Sequence, residues 1–344
     1  CIDACPAEAI ASLGERIEVN PNLCQGGGTC STVCPSGAIR YLYPNLRDSG
    51  KRLRDALDAY REQGGGRPNV VFHGENASPD HYLQAYDNVL PIQVEELGSV
   101  GMDLCLSALA YGAMQVVLLA DPEVPRSSLL NLRQQLDWLH AIISELGLGS
   151  AYVTICESEA ALPEVDDGKI ARAAIHDMPP LKRNAVFQSL DHLVAELRPE
   201  AELVRLPDSA PFGEVAIDAQ KCTLCMACVG ACPGRALQDG SNREVPEVFF
   251  IESNCLQCGA CVQTCPEDAV SLAPRMLFDR EKRNRARALN RDTPFACIAC
   301  GKPFAPTSVI NKMQDKLKDH HMFGSQRALD RLKMLSLIHI SEPT

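Results

Sequence analysis

Between residues 222 and 265 one cysteine phrase is written twice. The first copy is Cys222, Cys225, Cys228, Cys232 and Pro233, and the second is Cys255, Cys258, Cys261, Cys265 and Pro266. Both read C-x2-C-x2-C-x3-C-P, a spacing that holds cubane iron-sulfur clusters and in which the fourth thiolate serves the neighbouring cluster. A loop with two residues between thiolates wraps three corners of a small cluster without strain, while the fourth cysteine points away down a helix. Soft thiolate sulfur suits such iron better than oxygen or imidazole. The predicted ligand sets are Cys222, Cys225, Cys228 and Cys265 for one 4Fe-4S cluster, and Cys255, Cys258, Cys261 and Cys232 for a second. Disulfides or zinc would not require two copies in register.

A partial version of the phrase stands at the start of the chain. Cys1, Cys5 and Pro6 match its last part, with the first two cysteines expected upstream, and Cys24, Cys30, Cys34 and Pro35 follow. Gly27 occupies the place of the middle cysteine. The crossing rule assigns Cys34 with Cys1 to one cluster, which lacks two ligands as the sequence stands, and Cys5 with Cys24 and Cys30 to another. Three outcomes stand open for the latter: a 3Fe-4S cluster, a cubane with one open corner, or an empty degenerate site.

Cys297 and Cys300 form a single C-x2-C, and two sulfurs do not close a tetrahedral zinc or iron site. His320 and His321 are conceivable partners, although adjacent histidines on a helix diverge. The pair is therefore expected to be a half site. Cys105, inside an apolar helix, and Cys156, at a strand end, read as small buried hydrophobes.

The elements that must position these groups follow from periodicity. Residues 48–63 have helical spacing and end in a glycine run, which closes a helix where a phosphate loop would open one. Strands are predicted at 70–73, 89–94, 115–120 and 151–156, and helices at 101–112 and 127–146. Short apolar strands alternating with helices imply parallel pairing in a doubly wound sheet. Ligands sit at the strand ends of such sheets, which draws attention to His73, Glu75, Glu95 and Glu96. Residues 160–200 read as helical and charged, 198–213 as a linker. Strands at 214–217, 248–251 and 269–272 flank the two cluster loops. The basic stretch from Arg275 to Arg291 reads as a solvated helix or as a docking surface for an acidic partner.

The chain has 344 residues, 17 cysteines and a net charge of -11. Most cysteines fall in cluster-like runs, which favours a reducing, cytoplasmic location over a secreted disulfide scaffold. The acidic balance argues against a nucleic-acid surface, and no apolar run is long enough to span a bilayer. No nucleophile, general base or cofactor fingerprint accompanies the cysteines, so no catalytic residues are assigned. The tail at 335–344, LSLIHISEPT, reads as translated sequencing adapter and is set aside.

Residues 213–274 resemble bacterial dicluster ferredoxins, and residues 1–44 look like the remainder of a second such module. Residues 67–160 resemble the delta-subunit family of methyl-viologen-reducing hydrogenase, on the phrases VLPIQVEELGSVGMDLCLSALAYGAMQVVLLAD and LLNLRQQLDWLHAIISELGLG leading into AYVTICES. That resemblance implies an electron-transfer partner of a heterodisulfide-reductase-like complex. The family's 2Fe-2S cysteines at the first three strand ends are replaced here by VFHGENASP, VEELGSVG and LADPEVPRS, which implies a fold kept without its own cluster. The phrase PFACIACGKPFAPTSVINKM, with HHMF and RLKM, resembles the C-terminal extension of hydrogenase-type iron-sulfur subunits, in which another cysteine pair follows.

The expected molecule is a multidomain α/β and α+β chain, with a central doubly wound parallel sheet flanked by ferredoxin-like dicluster modules. Its divisions are a truncated ferredoxin module at 1–44, the α/β domain at 45–200, a dicluster module at 201–278, a helical extension at 279–334 and the adapter-like tail. The expected function is one-electron relay between redox partners, such as a dehydrogenase or hydrogenase subunit. Alternatives are a flavin- or substrate-binding oxidoreductase subunit fed by its clusters, and a non-redox cluster carrier.

Overall fold

The computed structural model describes residues 2–14, 16–157, 161–166, 169–240 and 245–335. Cys1 and all but the first residue of the adapter-like tail fall outside that set. The chain forms two compact units, Cys1–Ala210 with Met276–Asp279, and Pro211–Arg275 with Arg280–Thr344.

The first unit opens with an antiparallel pair, β1 (Ile10–Ser12) and β2 (Ile17–Val19), and a short helix α1 (Thr29–Val33). Helix α2 (Leu46–Glu62) starts where the Asn45 side chain accepts a bond from the Asp48 N–H at 3.0 Å. Such a cap satisfies one orphan donor of the first turn. Its apolar stripe buries Leu53 and Leu57. Gly50 is needed on the same helix, because a Cβ there would lie 2.4 Å from the Met178 Cβ.

Strands β3 (Asn69–His73), β4 (Val89–Gln93), β5 (Gln115–Ala120) and β6 (Val153–Glu157) form one parallel sheet in the order β4-β3-β5-β6. Every residue of β5 is buried, as expected of strands whose two faces are both covered. The intervening helices are α3 (Asp80–Ala85), α4 (Met102–Ala110) and α5 (Arg126–Glu145). Helix α4 is apolar nearly all round and fully buried, the pattern of a helix with no solvent face. It packs against α6 (Lys182–Leu197), where the Ser107 and Ser189 hydroxyls bond at 2.8 Å. The chain passes outward from β3 to β4, then crosses back to the other side of β3 for β5. This reversal opens a crevice at the carboxyl ends of the strands.

Two expectations are corrected in this unit. Among the described residues of 160–200 only α6 is helical, because prolines at 163, 179 and 180 interrupt the remainder and deny a helix its N–H donors. The expected linker contains a strand, β7 (Leu203–Arg205).

In the second unit β8 (Gly213–Ile217) and α7 (Ala227–Gly230) precede β9 (Leu237–Asp239), and β10 (Glu247–Phe250) and α8 (Ala260–Thr264) precede β11 (Val270–Leu277). The first strand pairs with the last, Val270 opposite Ile217, and the inner two pair with each other, Phe250 opposite Leu237. This nested pairing brings the two cysteine runs side by side. The core between them is Val215, Leu224, Ala236, Leu237, Val248 and Phe250.

The basic stretch is not one solvated helix: Arg280, Lys282, Arg285 and Arg291 are exposed, while Arg275 and Arg287 are half-buried against carboxylates. Arg275 lies on β11, a short helix α9 (Arg280–Asn284) follows, and Arg287 begins β12 (Arg287–Arg291), which pairs with β10. Arg275 grips Glu252 with two bonds of 2.9 and 2.8 Å, and its remaining nitrogen reaches Glu214 at 2.7 Å. Arg287 adds a 2.8 Å bond to Glu252 and lies 4.8 Å over the Phe250 ring. These guanidiniums answer carboxylates distant in sequence. The remainder is a hairpin, β13 (Pro294–Ala296) with β14 (Pro303–Pro306), followed by α10 (Thr307–Leu317) and α11 (Gln326–Arg331). The extension expected to be helical is thus partly sheet.

Burial would push the Glu252 carboxyl up, but the Arg275 and Arg287 guanidiniums outweigh it and hold the group below its ordinary value. A carboxyl depressed in the folded state stabilises above its unfolded pKa and loses that contribution as pH falls through the folded one. Glu252→Gln leaves two guanidiniums without their shared anion, at a cost of about 3 kcal/mol. The expected readout is a lower melting temperature at pH 7, with the gap to the parent narrowing in acid as Glu252 itself protonates.

Candidate iron-sulfur centres

Each cysteine run of the second unit is shaped by left-handed residues at matching places. Leu224 (φ 55°) and Met226 (φ 61°) correspond to Gln257 (φ 53°) and Gly259 (φ 79°). Three residues past the fourth cysteine, Arg235 (φ 51°) corresponds to Asp268 (φ 46°). Side chains rarely adopt this conformation, and such residues cluster where the backbone serves a ligand. Alternating right- and left-handed residues turn successive N–H groups into a concave nest suited to an anion, iron-sulfur sites included. The Ala236 N–H donates to Cys232 Sγ at 3.2 Å, that of Ala269 to Cys265 Sγ at 3.4 Å and that of Leu224 to Cys222 Sγ at 3.4 Å. The Gln257 amide donates to Cys255 Sγ at 3.3 Å while holding the Glu214 carbonyl at 3.1 Å.

The thiols gather in two groups. Burial, then Cys222, Cys225 and Cys265, push the Cys228 thiol up to about 11. Burial, then Cys255, Cys258, Cys232 and, least, Cys228, do the same to Cys261, also to about 11. Cys232, Cys255, Cys258 and Cys261 line one cavity, walled by Val215, Leu237 and Leu272. Among the described residues no three His, Cys, Asp or Glu side chains converge on a single ion. Sulfur donors with N–H groups already aimed at them fit 4Fe-4S clusters, and loading would release the protons those thiols carry.

The N-terminal run uses the same backbone device. Gly26 (φ 75°) and Gly28 (φ 69°) stand where Gln257 and Gly259 do, and Glu8 (φ 50°) and Gly37 (φ 69°) follow Cys5 and Cys34 by three residues. Ala9 donates to Cys5 Sγ at 3.4 Å. The Cys30 thiol is pushed up by burial, by Cys5 and by Cys24, so these three thiols are brought together. Cys34 lies apart from them and is buried, with Ser36 Oγ at 3.4 Å. Burial raises its thiol, but the Ser36 hydroxyl and the N–H groups of Ile39, Ser36 and Ala38 bring it down to about 7. Its expected partner Cys1 is outside the described residues.

Sequence reasoning missed what holds this loop in place. A Cβ on Gly28 would lie 2.5 Å from Ser99 Cβ, and one on Gly98 would lie 2.4 Å from Thr29 Oγ1 and 2.7 Å from the Gly27 carbonyl. Thr32 Oγ1 donates to the Gly98 carbonyl at 3.1 Å, and Thr29 Oγ1 to Ser128 Oγ at 2.8 Å. The cysteine loop is thus seated on the β4–α4 connection at the carboxyl edge of the sheet. Tyr41 donates to the Gly26 carbonyl at 2.6 Å, and Lys182 donates to the carbonyls of Ser31, at 2.8 Å, and Thr32. Only the glycine run gave a local sign of this contact. Of the strand-end residues singled out, Glu75, Glu95 and Glu96 line one cavity with Cys5, Cys24 and Cys30, whereas the His73 ring bonds the neighbouring Gly74 carbonyl at 2.9 Å. Cys105 and Cys156 are buried in the apolar interior.

At the C-terminal pair, Cys297 is buried and Cys300 exposed. The segment RLKM returns to this loop: Ile298 donates to the Lys333 carbonyl at 3.2 Å and Leu335 to Cys297 Sγ at 3.4 Å. Burial raises the Cys297 thiol, but the N–H groups of Leu335, Ala299 and Cys300 outweigh it and bring it down to about 6. His320 stacks on His321 at 4.3 Å, and among the described residues neither joins the cysteine pair in a metal-holding group.

Comparison with known proteins agrees with the two sets of loops. Residues 221–269 match the 4Fe-4S dicluster domain, and residues 17–40 match the 4Fe-4S binding domain. The chain carries two iron-sulfur domains of ferredoxin type. It is also similar to hydrogenase-4 component A of Escherichia coli (strain K12), 33% identical over 87 residues, which are 25% of this chain and 38% of that protein. The match thus spans well under half of that relative. Among the described residues no helix is long and apolar enough to cross a membrane.

Gly27 and Gly98 make a direct contrast. A Cβ on Gly27 meets nothing within 4 Å and its φ is not left-handed, so Gly27→Cys is expected to fold and to add a fourth thiolate at the place matching Cys225 and Cys258. Anaerobic reconstitution should then yield an N-terminal site binding four irons, seen as loss of any three-iron EPR signal. Gly98→Ala overpacks the seat of the same loop and should cost about 1–3 kcal/mol, read by thermal denaturation, whereas Gly66→Ala, with open space around it, should change nothing.

Proposed function

We propose that this protein is a one-electron relay in which Cys222, Cys225, Cys228 and Cys265 hold one 4Fe-4S cluster and Cys255, Cys258, Cys261 and Cys232 the other. The single observation that supports the reading is the cavity lined by Cys255, Cys258 and Cys261 of one run together with Cys232 of the other. Such clusters take up and release single electrons, with potentials set by charge, hydrogen bonds to sulfur and solvent access. The chain's own part is to hold the thiolates apart at fixed corners, to aim N–H groups at their sulfurs, and to leave Cys225 and Cys258 exposed where a partner can approach.

The N-terminal module extends the relay, with Cys5, Cys24 and Cys30 holding a further cluster and Cys34 belonging with Cys1. The domain of residues 45–200 then serves as a doubly wound support akin to the hydrogenase delta-subunit family, and the divisions at 1–44, 201–278 and 279–334 are its redox appendages. Likeness to a hydrogenase component favours a hydrogenase or dehydrogenase subunit as partner. Cys297 and Cys300 are half of a zinc or iron site in this reading.

Paired substitutions test the crossed assignment through non-additivity. Cys232→Ala should remove about four irons. Adding Cys258→Ala should remove no more, because both residues serve one cluster, whereas adding Cys225→Ala should remove about four further irons. The opposite pattern in anaerobic iron and sulfide analysis would mean that each run closes its own cluster.

A further inference from the structure

The N-terminal thiols face a cavity of about 400 Å3, more than ten times the roughly 30 Å3 share of a water molecule. Its lining brings Cys5, Cys24, Cys30 and Gly27 together with Glu95 and Glu96, which follow the carboxyl end of β4. Gly27 marks the vacant corner, since its neighbours Gly26 and Gly28 hold the left-handed conformations seen on either side of Cys258 in the complete loop. The base of the loop is seated closely on the β4–α4 connection, with Gly28 against Ser99 and Gly98 against Thr29 and the Gly27 carbonyl. Tyr41, bonded to the Gly26 carbonyl, lies within the electrostatic reach of Glu95, Glu96, Cys24 and Cys30 together.

We infer that the fourth iron of the N-terminal cluster is held not by sulfur but by a carboxylate of the Glu95–Glu96 pair, which makes the cluster and the sheet edge one composite site. Carboxylate oxygen is a harder donor than thiolate and binds iron(II) more weakly, so this iron is the exchangeable one. The step is [3Fe-4S]0 plus Fe2+ giving [4Fe-4S]2+. No electron moves: the incoming iron forms three bonds to sulfides of the cluster and one to the carboxylate oxygen, and the waters of its hydration shell leave.

This inference rests on the reading that Cys5, Cys24 and Cys30 hold a cluster. The full-length protein, loaded anaerobically, is oxidised mildly to release any labile iron, reduced with dithionite to the [3Fe-4S]0 state and given 57Fe2+, so that Mössbauer spectroscopy sees the added iron alone. The parent should take up one 57Fe with an isomer shift above that of sulfur-ligated iron. Glu95→Gln/Glu96→Gln should weaken that uptake at least about tenfold, in line with the loss of a metal's supporting groups, and adding Gly27→Cys to the double variant should restore it with a sulfur-type isomer shift. Undiminished uptake by the double variant overturns the carboxylate ligand while leaving the cluster in place. Absence of any three-iron signal before 57Fe2+ is added, in the parent and with Cys24→Ala alike, overturns the N-terminal cluster and the inference with it.

Discussion

Four thiolates do not share a buried pocket unless cationic iron lies among them, and the second unit is built around that constraint. Burial and mutual repulsion together push Cys228 and Cys261 up to about 11, so the empty pocket favours thiols and the loaded one thiolates. The backbone answers with donors. Left-handed residues that are costly elsewhere are used here because they point N–H groups inward, and Ala236 and Ala269 each donate to the sulfur four residues back. Nested strand pairing, β8 with β11 around β9 with β10, then brings each fourth cysteine to the opposite run.

In the first unit the same loop meets a different neighbour. Its glycines do two jobs: Gly26 and Gly28 supply the left-handed turns, and Gly28 with Gly98 lets the loop lie flat against the sheet edge. The strand order places that edge where an α/β sheet opens a crevice. A cation is set under the opposite end of the loop, where Lys182 bonds the carbonyls of Ser31 and Thr32 and complements the negative end of α1.

The cluster loops were legible because cysteine spacing is a local signal that chemistry enforces. The parallel strands were legible for a similar reason: NVVFH and QVVLLA are unbroken apolar runs, and the structure places strands at Asn69–His73 and Gln115–Ala120. The left-handed turns were not, since Glu8, Leu224, Arg235 and Asp268 are ordinary side chains whose conformation is imposed by what they surround. Nor were the roles of Arg275 and Arg287 in the basic stretch, whose partners Glu214 and Glu252 lie far back along the chain. A run of like charges looks exposed until the opposite charges that fold onto it are known. Segment 160–200 failed differently, because its charged composition suggested helix while its prolines forbade continuity.

The two modules tune their sulfurs by different physical means. In the second unit the cavity beside Cys255 and Cys261 is apolar, and the nearby guanidiniums of Arg275 and Arg287 are neutralised by Glu214 and Glu252. What remains to set a potential there is hydrogen bonding to sulfur and local dielectric, neither of which responds much to salt. In the first unit the cavity beside the thiols is also lined by Glu95, Glu96 and Asp121, whose field opposes an added electron and is weakened by salt and by protonation. Within the proposed relay the N-terminal centre would then follow salt and acid through these carboxylates, whereas the C-terminal clusters would be governed more by hydrogen bonds to sulfur and by solvent at Cys225 and Cys258.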